Sequence, residues 1–386
     1  MTQSSWIRRM FEEGLELKAR FGEDNVFDFS LGNPNLPPPA GFHAAMKELV
    51  ESDQRGVHGY MPNAGFEETR RAIASYLEET QDIHISWKQV VMACGAAGGL
   101  NVVFKTLLDP GDEVIIPTPF FAEYRFYVDN MGGVARFVPT RPDFSLDLEA
   151  IEAAVSGRTR AILVNSPNNP TGKIYDASSI GELAVLMERE SGELNRDIYL
   201  VADEPYRDIV YDGREVPSIL ASYRNSITAT SYSKSLSIPG ERIGFIAVNP
   251  EASDAGLILD GIALATRILG FVNAPGLMQR VVARLQGTKV ALDDYRRKRD
   301  LLCDGLQDIG YDVVRPEGAF YLFLKSLRED DVAFVQALQR KNILTVPGSG
   351  FAGPGYIRIA YCVDDSTITN SMKGFREVFD ELGEPR

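Results

Sequence analysis

The sequence has little of what most metal, redox and membrane chemistries require. Its three cysteines, Cys94, Cys303 and Cys362, are far apart, odd in number and form no CxxC pair. That excludes a disulfide framework or a zinc knot and leaves them as buried apolar side chains. Three histidines, His43, His58 and His84, show no metal-ligand spacing, so no metal is expected. No apolar run approaches the ~20 residues that cross a bilayer, and the opening MTQSSWIRRMFEEG lacks the apolar middle of a secretory signal. A cytoplasmic protein with no membrane partner is expected. Positive charge is short too: 40 Lys and Arg stand against 54 Asp and Glu, a formal charge of −14. Nucleic acid, which demands clustered Lys and Arg, is therefore not an expected partner.

What remains is an ordinary globular composition, 44% hydrophobic and 24% charged over 386 residues, enough for a large domain with a smaller one attached and a site between them. From about residue 90 to 250, short apolar runs alternate with helical patterns: VVMAC, DEVIIP, GVARFVP, TRAILVNSP, DIYLVADEP, SITATSYS and RIGFIAVNP. Runs such as AILVN and IYLVAD lack polar alternation, as strands buried on both faces of a parallel sheet do. The last two runs are joined only by SLSIPGE, which predicts an antiparallel strand in the sheet. The expected fold is α/β: a large domain, residues 48–285, with a mostly parallel mixed sheet flanked by helices. A smaller α+β domain is built from both termini, residues 1–47 and 286–386. Its later part reads as a long helix over 276–309, then EGAFYLFLK, a helix near 330–341, YIRIAYC and a helix near 365–382.

Each unusual phrase falls at the carboxyl end of one of these strands, where open α/β sheets bind ligands. CGAAGGL, residues 94–100, opens a helix and offers backbone N–H groups to an anion, although tight packing would explain its glycines as well; it is not GxGxxG. NSPNNPTG, residues 165–172, holds Asn169 in a Pro-fixed turn. In DEPY, residues 203–206, Asp203 follows a buried run, where a carboxylate needs a cation or strong donors, with a helix cap as the plainer alternative. In SYSKSLSIPGERIG, residues 231–244, Ser231 and Arg242 can both reach a phosphate. Partial burial beside Arg242 would lower the pKa of Lys234 toward nucleophilic competence.

NNPTG, DEPY, SYSK with Arg242, and the late YIRIA occur in the order found in the class I and II aminotransferases, the fold type I pyridoxal phosphate enzymes, which the chain resembles over nearly its full length. The resemblance implies that Lys234 holds pyridoxal 5'-phosphate as a Schiff base and that Asp203 pairs with its protonated ring nitrogen. Tyr206 and Asn169 would bond the ring hydroxyl oxygen. Gly95, Ala96 and Ala97, with Ser231 and Arg242, would hold the phosphate, and Phe121 would stack on the ring. Arg358 would grip the substrate α-carboxylate beneath a loop carrying Asn33. Tyr60 would reach the phosphate of the neighbouring subunit in a homodimer with shared sites. Ala97 departs from relatives that carry a hydroxyl or aromatic side chain there.

The implied reaction moves an amino group between an L-amino acid and a 2-keto acid. Its rival on the same site is a β-elimination that splits carbon from sulfur. An effector-sensing regulator lacks room for a DNA-binding module, and a dinucleotide dehydrogenase fails on a missing GxGxxG and would leave Lys234 without a role. A substrate with an acidic side chain would need a second cation; Arg125 and Arg267 are the candidates, each with a surface or interface role as the alternative.

Overall fold

The computed structural model describes residues 6–52 and 56–383. The first strand, β1 (Phe27–Asp28), is short and belongs with the end of the chain. The expected apolar runs then form β2 (Val90–Ala93), β3 (Glu113–Thr118), β4 (Val134–Pro139), β5 (Thr159–Asn165), β6 (Tyr199–Asp203), β7 (Ser226–Ser231) and β8 (Gly244–Val248). They make one sheet in the order β2-β8-β7-β6-β5-β3-β4. Every pairing is parallel except those of β8, which runs antiparallel to both β7 and β2. That follows from the connection: residues 232–243 hold only one helical turn and one 3-10 turn, not the longer helix that usually carries a parallel crossover across the face of a sheet.

The sheet is covered on both faces, which is why β5 and β6 carry no polar alternation. On one face Leu100, Val103, Phe104, Ile258 and Ile262 from two helices pack on Val114, Leu163 and Val201. On the other, Ile180, Leu183 and Met187 pack on Ile115, Ile162 and Leu200. Each such side chain contributes roughly 1.5–3 kcal/mol by leaving water. The edge strand β4 alone shows exposed positions.

The smaller unit is built from both ends of the chain. β9 (Tyr321–Lys325) and β12 (Tyr356–Ala360) are antiparallel neighbours, β11 (Val346–Pro347) extends them, and β10 (Ile343–Leu344) pairs with β1. Phe29, Leu302, Phe320, Phe334, Ile359 and Phe375 share its core. The N–H of Ala360 donates to the Phe29 carbonyl, so the N-terminal segment is bound beside β12.

Three expectations are corrected. The stretch 276–309 is two helices, Gly276–Ala283 and Leu292–Ile309. Gly287 at φ 75° turns the chain between them, and the Val290 N–H donates to the Ser235 carbonyl, tying the break to the loop of Lys234. The boundary at residue 47 falls inside the helix Ala40–Glu51, whose Phe42, Ala45 and Leu49 pack with Ile73, Leu77 and Met278 of the larger unit. Residues 40–47 therefore go with that unit. Finally, GSGFAG at 348–353 does have GxGxxG spacing, but it forms a 3-10 turn between β11 and β12 rather than a strand-to-helix turn, so it is no dinucleotide site.

Candidate active site

A cavity of about 350 Å³ opens at the carboxyl ends of the sheet strands, where the smaller unit meets them. Lys234 reaches it because β7 ends at Ser231 and the chain turns at once into the single helical turn Tyr232–Ser235. Its Nζ donates to the Gly32 carbonyl at 2.7 Å. Burial lowers the pKa of the amine to about 8, with Arg358 and Arg242 pushing the same way and Cys362 opposing them. A fraction of the amine is then neutral, and nucleophilic, near neutral pH. Gly32 can approach only because it lacks a side chain: a Cβ there would lie 1.8 Å from the Tyr321 hydroxyl oxygen. Gly32→Ala is expected to displace this segment, visible as a lowered Tm and a changed Lys234 pKa.

Asp203 ends β6. Its Oδ2 accepts from the Tyr124 hydroxyl at 2.5 Å, and its Oδ1 is buried with no partner. Burial pushes the carboxyl up to about 7; the Tyr124 hydrogen bond pulls it down and Glu204 pushes it up. Asn165, in register beside it on β5, donates to the Asp203 carbonyl at 2.8 Å and accepts the Asn169 N–H at 2.7 Å. A buried acceptor left open beside a cavity is a place for a ligand N–H, above all a cationic one.

At one end of the cavity the helix Gly95–Leu107 begins, presenting Ala96 and Ala97, with Ser231, Ser233 and Arg242 opposite. Gly95, at φ 72°, lies behind them; a Cβ there would be 2.8 Å from Arg242 Nη2. Backbone donors, a helix dipole and a guanidinium together make an anion site. At the other end Arg358 on β12 is 2% exposed. It donates to Asn169 Oδ1 at 3.2 Å and to the Ser30 carbonyl at 2.6 Å, while its Nε has no partner. The guanidinium lies over the rings of Tyr321 and Phe351, at 4.6 and 4.7 Å. Tyr206 and Tyr321 share a hydroxyl contact of 2.9 Å, and burial holds both hydroxyls protonated. The arrangement suits a flat ligand with an anionic head at the helix start, a cationic N–H at Asp203 and a carboxylate near Arg358, within reach of the Lys234 amine.

Phe121, Asn169 and Tyr206 line the same cavity as Lys234, Asp203 and Arg358. Asn33 does not. It is exposed and lines a separate outer groove with Asn35 and Asp364; the backbone at 32–33 turns the Gly32 carbonyl inward and the Asn33 side chain out. Tyr60 is also elsewhere in a single chain, 93% exposed beside a hollow formed with Val57, Met61 and Phe271. Arg125 donates to the Ala122 and Gly350 carbonyls and Arg267 is exposed, so neither puts a second cation into the cavity. Cys94 is half-buried rather than buried. Reasoning from motifs missed Gly32, Glu123, Tyr127, Asn165 and Tyr321 as lining residues. Position could have found Asn165, since it ends the strand paired with the one that ends in Asp203.

The profile of the family Aminotransferase class I and II matches residues 24–375. A probable aspartate/prephenate aminotransferase of Thermus aquaticus is 31% identical over 370 residues, 94% of this chain and 93% of that protein. An aromatic-amino-acid aminotransferase of Thermococcus litoralis is 28% identical over 99% of this chain and 97% of that one. The crystal structure of an aminotransferase from Eubacterium rectale superposes with a TM-score of 0.96 at 40% identity, covering 99% of this chain and 96% of that one.

Proposed function

Since the chain belongs to the class I and II aminotransferases, and so is a transaminase that moves an amino group between an amino acid and a 2-keto acid, we propose that it works with pyridoxal 5'-phosphate carried on Lys234. The observation that carries this reading is the open Asp203 Oδ1 facing the same cavity as the buried Lys234 amine. The ring N–H of the cofactor would meet that oxygen. Its phosphate would lie at the helix start with Ser231 and Arg242, its ring against Phe121, and its hydroxyl oxygen near Asn169 and Tyr206. When bound, the ring supplies a sink for the electron pair left when the substrate Cα–H bond breaks. Asp203 holds the proton on the ring nitrogen, which keeps that sink open. Arg358 orients the substrate by its α-carboxylate, a two-pronged pair that fixes which bond faces Lys234. Lys234, once its amine is free, takes the proton from Cα and delivers it to the cofactor's C4' carbon.

The relatives are named for aspartate, prephenate and aromatic substrates, so the donor and acceptor are read from a screen of amino-acid and keto-acid pairs with purified protein. Keto-acid-dependent amino transfer supports the proposal; pyruvate released from a cysteine thioether without an acceptor would show elimination competing on the same site.

The assembly we propose is a homodimer in which Tyr60 serves the neighbouring phosphate. Leu257, Leu264 and Ile268 form an exposed apolar stripe on the helix Ala255–Ile268, near the hollow of Tyr60, and a second copy would cover them. Mixing inactive Tyr60→Ala and Lys234→Ala subunits is expected to restore about half of the activity per mixed dimer, or about a quarter in a random equimolar mixture, because one of the two sites of a mixed dimer is then intact. A fully active monomer would overturn the shared site.

A further inference from the structure

The cavity holds a carboxyl group that this chemistry does not use. Glu123 lines it, two residues after Phe121 and next to Tyr124, and its Oε2 is sealed from water with no hydrogen-bond partner. Burial raises its pKa; its own backbone N–H, Arg358 and Arg125 only partly offset this. Neither arginine pairs with it, since Arg358 is committed to Asn169 and Ser30 and Arg125 to backbone carbonyls. Arg358 is among the charges acting on Glu123, and Glu123 and Arg358 both act on Tyr321, the ring that lies under the Arg358 guanidinium, so the carboxyl stands toward the Arg358 end of the cavity.

We propose that Glu123 determines side-chain specificity, accepting a hydrogen bond from amino acids with an amide or amine side chain and turning away those with an anionic one. The inference rests on Arg358 as the α-carboxylate anchor and Lys234 as the group facing Cα. With those ends fixed, the substrate side chain is the part left to meet Glu123. The cavity-lining cations of this chain are Lys234, Arg242 and Arg358, and each has a role already. A side-chain carboxylate would therefore find no uncommitted cation among the described residues that line the cavity and would approach a buried carboxyl instead, a repulsive element that discriminates by itself. A side-chain amide or ammonium would fill the orphaned acceptor, and leaving such an acceptor open is what makes a site reject analogues.

The test is the single half-reaction of the holoenzyme, followed as loss of its visible band on adding L-glutamine or L-aspartate without a keto acid. The wild type is expected to react faster with L-glutamine. Glu123→Gln should raise the aspartate-to-glutamine ratio of second-order rate constants by about tenfold or more, ~1.4 kcal/mol per tenfold, while Glu123→Asp keeps the wild-type order. As a binding readout, Glu123→Gln should tighten the dianion maleate relative to propionate by a similar factor in calorimetry. Wild-type preference for L-aspartate, with both ratios unmoved or lowered by Glu123→Gln, would overturn the assignment. A protein with no visible band at all would instead sink the cofactor reading, and the maleate and propionate titrations would still decide Glu123.

Discussion

Lys234→Ala is expected to abolish the visible absorption of the protein reconstituted with pyridoxal 5'-phosphate at neutral pH, and to lower transamination by at least ~10³-fold. The effect is large because one side chain supplies both the covalent tether and the base, and a positioned base alone contributes about 10²–10⁴-fold. The amine is prepared for this by burial, which brings its pKa to about 8, and by the Gly32 carbonyl at 2.7 Å, which holds it over the cavity. Absorption spectra and a coupled assay check the result, with circular dichroism confirming the fold. An Ala variant that keeps both the band and the turnover would refute the central role of this residue.

Asp203→Asn is expected to cost at least ~10²-fold in turnover while making the cofactor-free protein more stable at alkaline pH. The two effects have one cause. An amide cannot hold the ring nitrogen protonated, so the electron sink weakens. In the folded, cofactor-free chain burial holds the Asp203 carboxyl up to about 7, above the ~3.9 of an unfolded chain. A raised folded pKa means the group favours folding fully below about pH 4, and that contribution is lost as pH rises through 7, by up to about 4 kcal/mol. The wild-type apoprotein should lose Tm between about pH 4 and 7 through this group, and Asp203→Asn should flatten that slope. Melting curves across this range decide it; identical pH slopes for the two proteins would show that Asp203 does not titrate as described.

Much of this was legible in the chain. The strands were readable because β5, β6 and β8 are buried on both faces and need unbroken apolar runs. The ends of those strands were readable because Asp203, Asn169 and Lys234 are residue types that a strand end does not need for packing. What escaped has particular physical reasons. The helix over 276–309 breaks, yet Val281, Val282 and Leu285 are buried right up to the turn, so apolar spacing runs past the helix end. That the loop of Asn33 turns its Gly32 carbonyl rather than the Asn33 side chain toward the cavity is set by a residue far away in sequence: Tyr321 fills the space over Gly32. Tyr124 could not be told from Phe120 and Phe121 by composition, since only the fold shows which ring reaches Asp203. Glu123 stands among aromatic residues with no motif to mark it, and its significance lies in the partner it does not have.

The antiparallel strand β8 carries a consequence for how the protein is made. Being inserted between β7 and β2, it closes the early part of the sheet late: β2 has no partner until Gly244–Val248 has been synthesised, although Lys234 and Ser231 precede that strand. Arg358 arrives later still, on the last strand before the C-terminal helix. A growing chain therefore owns its reactive amine well before it owns the sheet neighbour that seats Ala93 and the helix start at Gly95, and long before it can hold a substrate. A chain truncated ahead of residue 358 would carry Lys234 without the arginine that anchors the amino acid, so such a fragment should bind no substrate carboxylate at that end of the cavity.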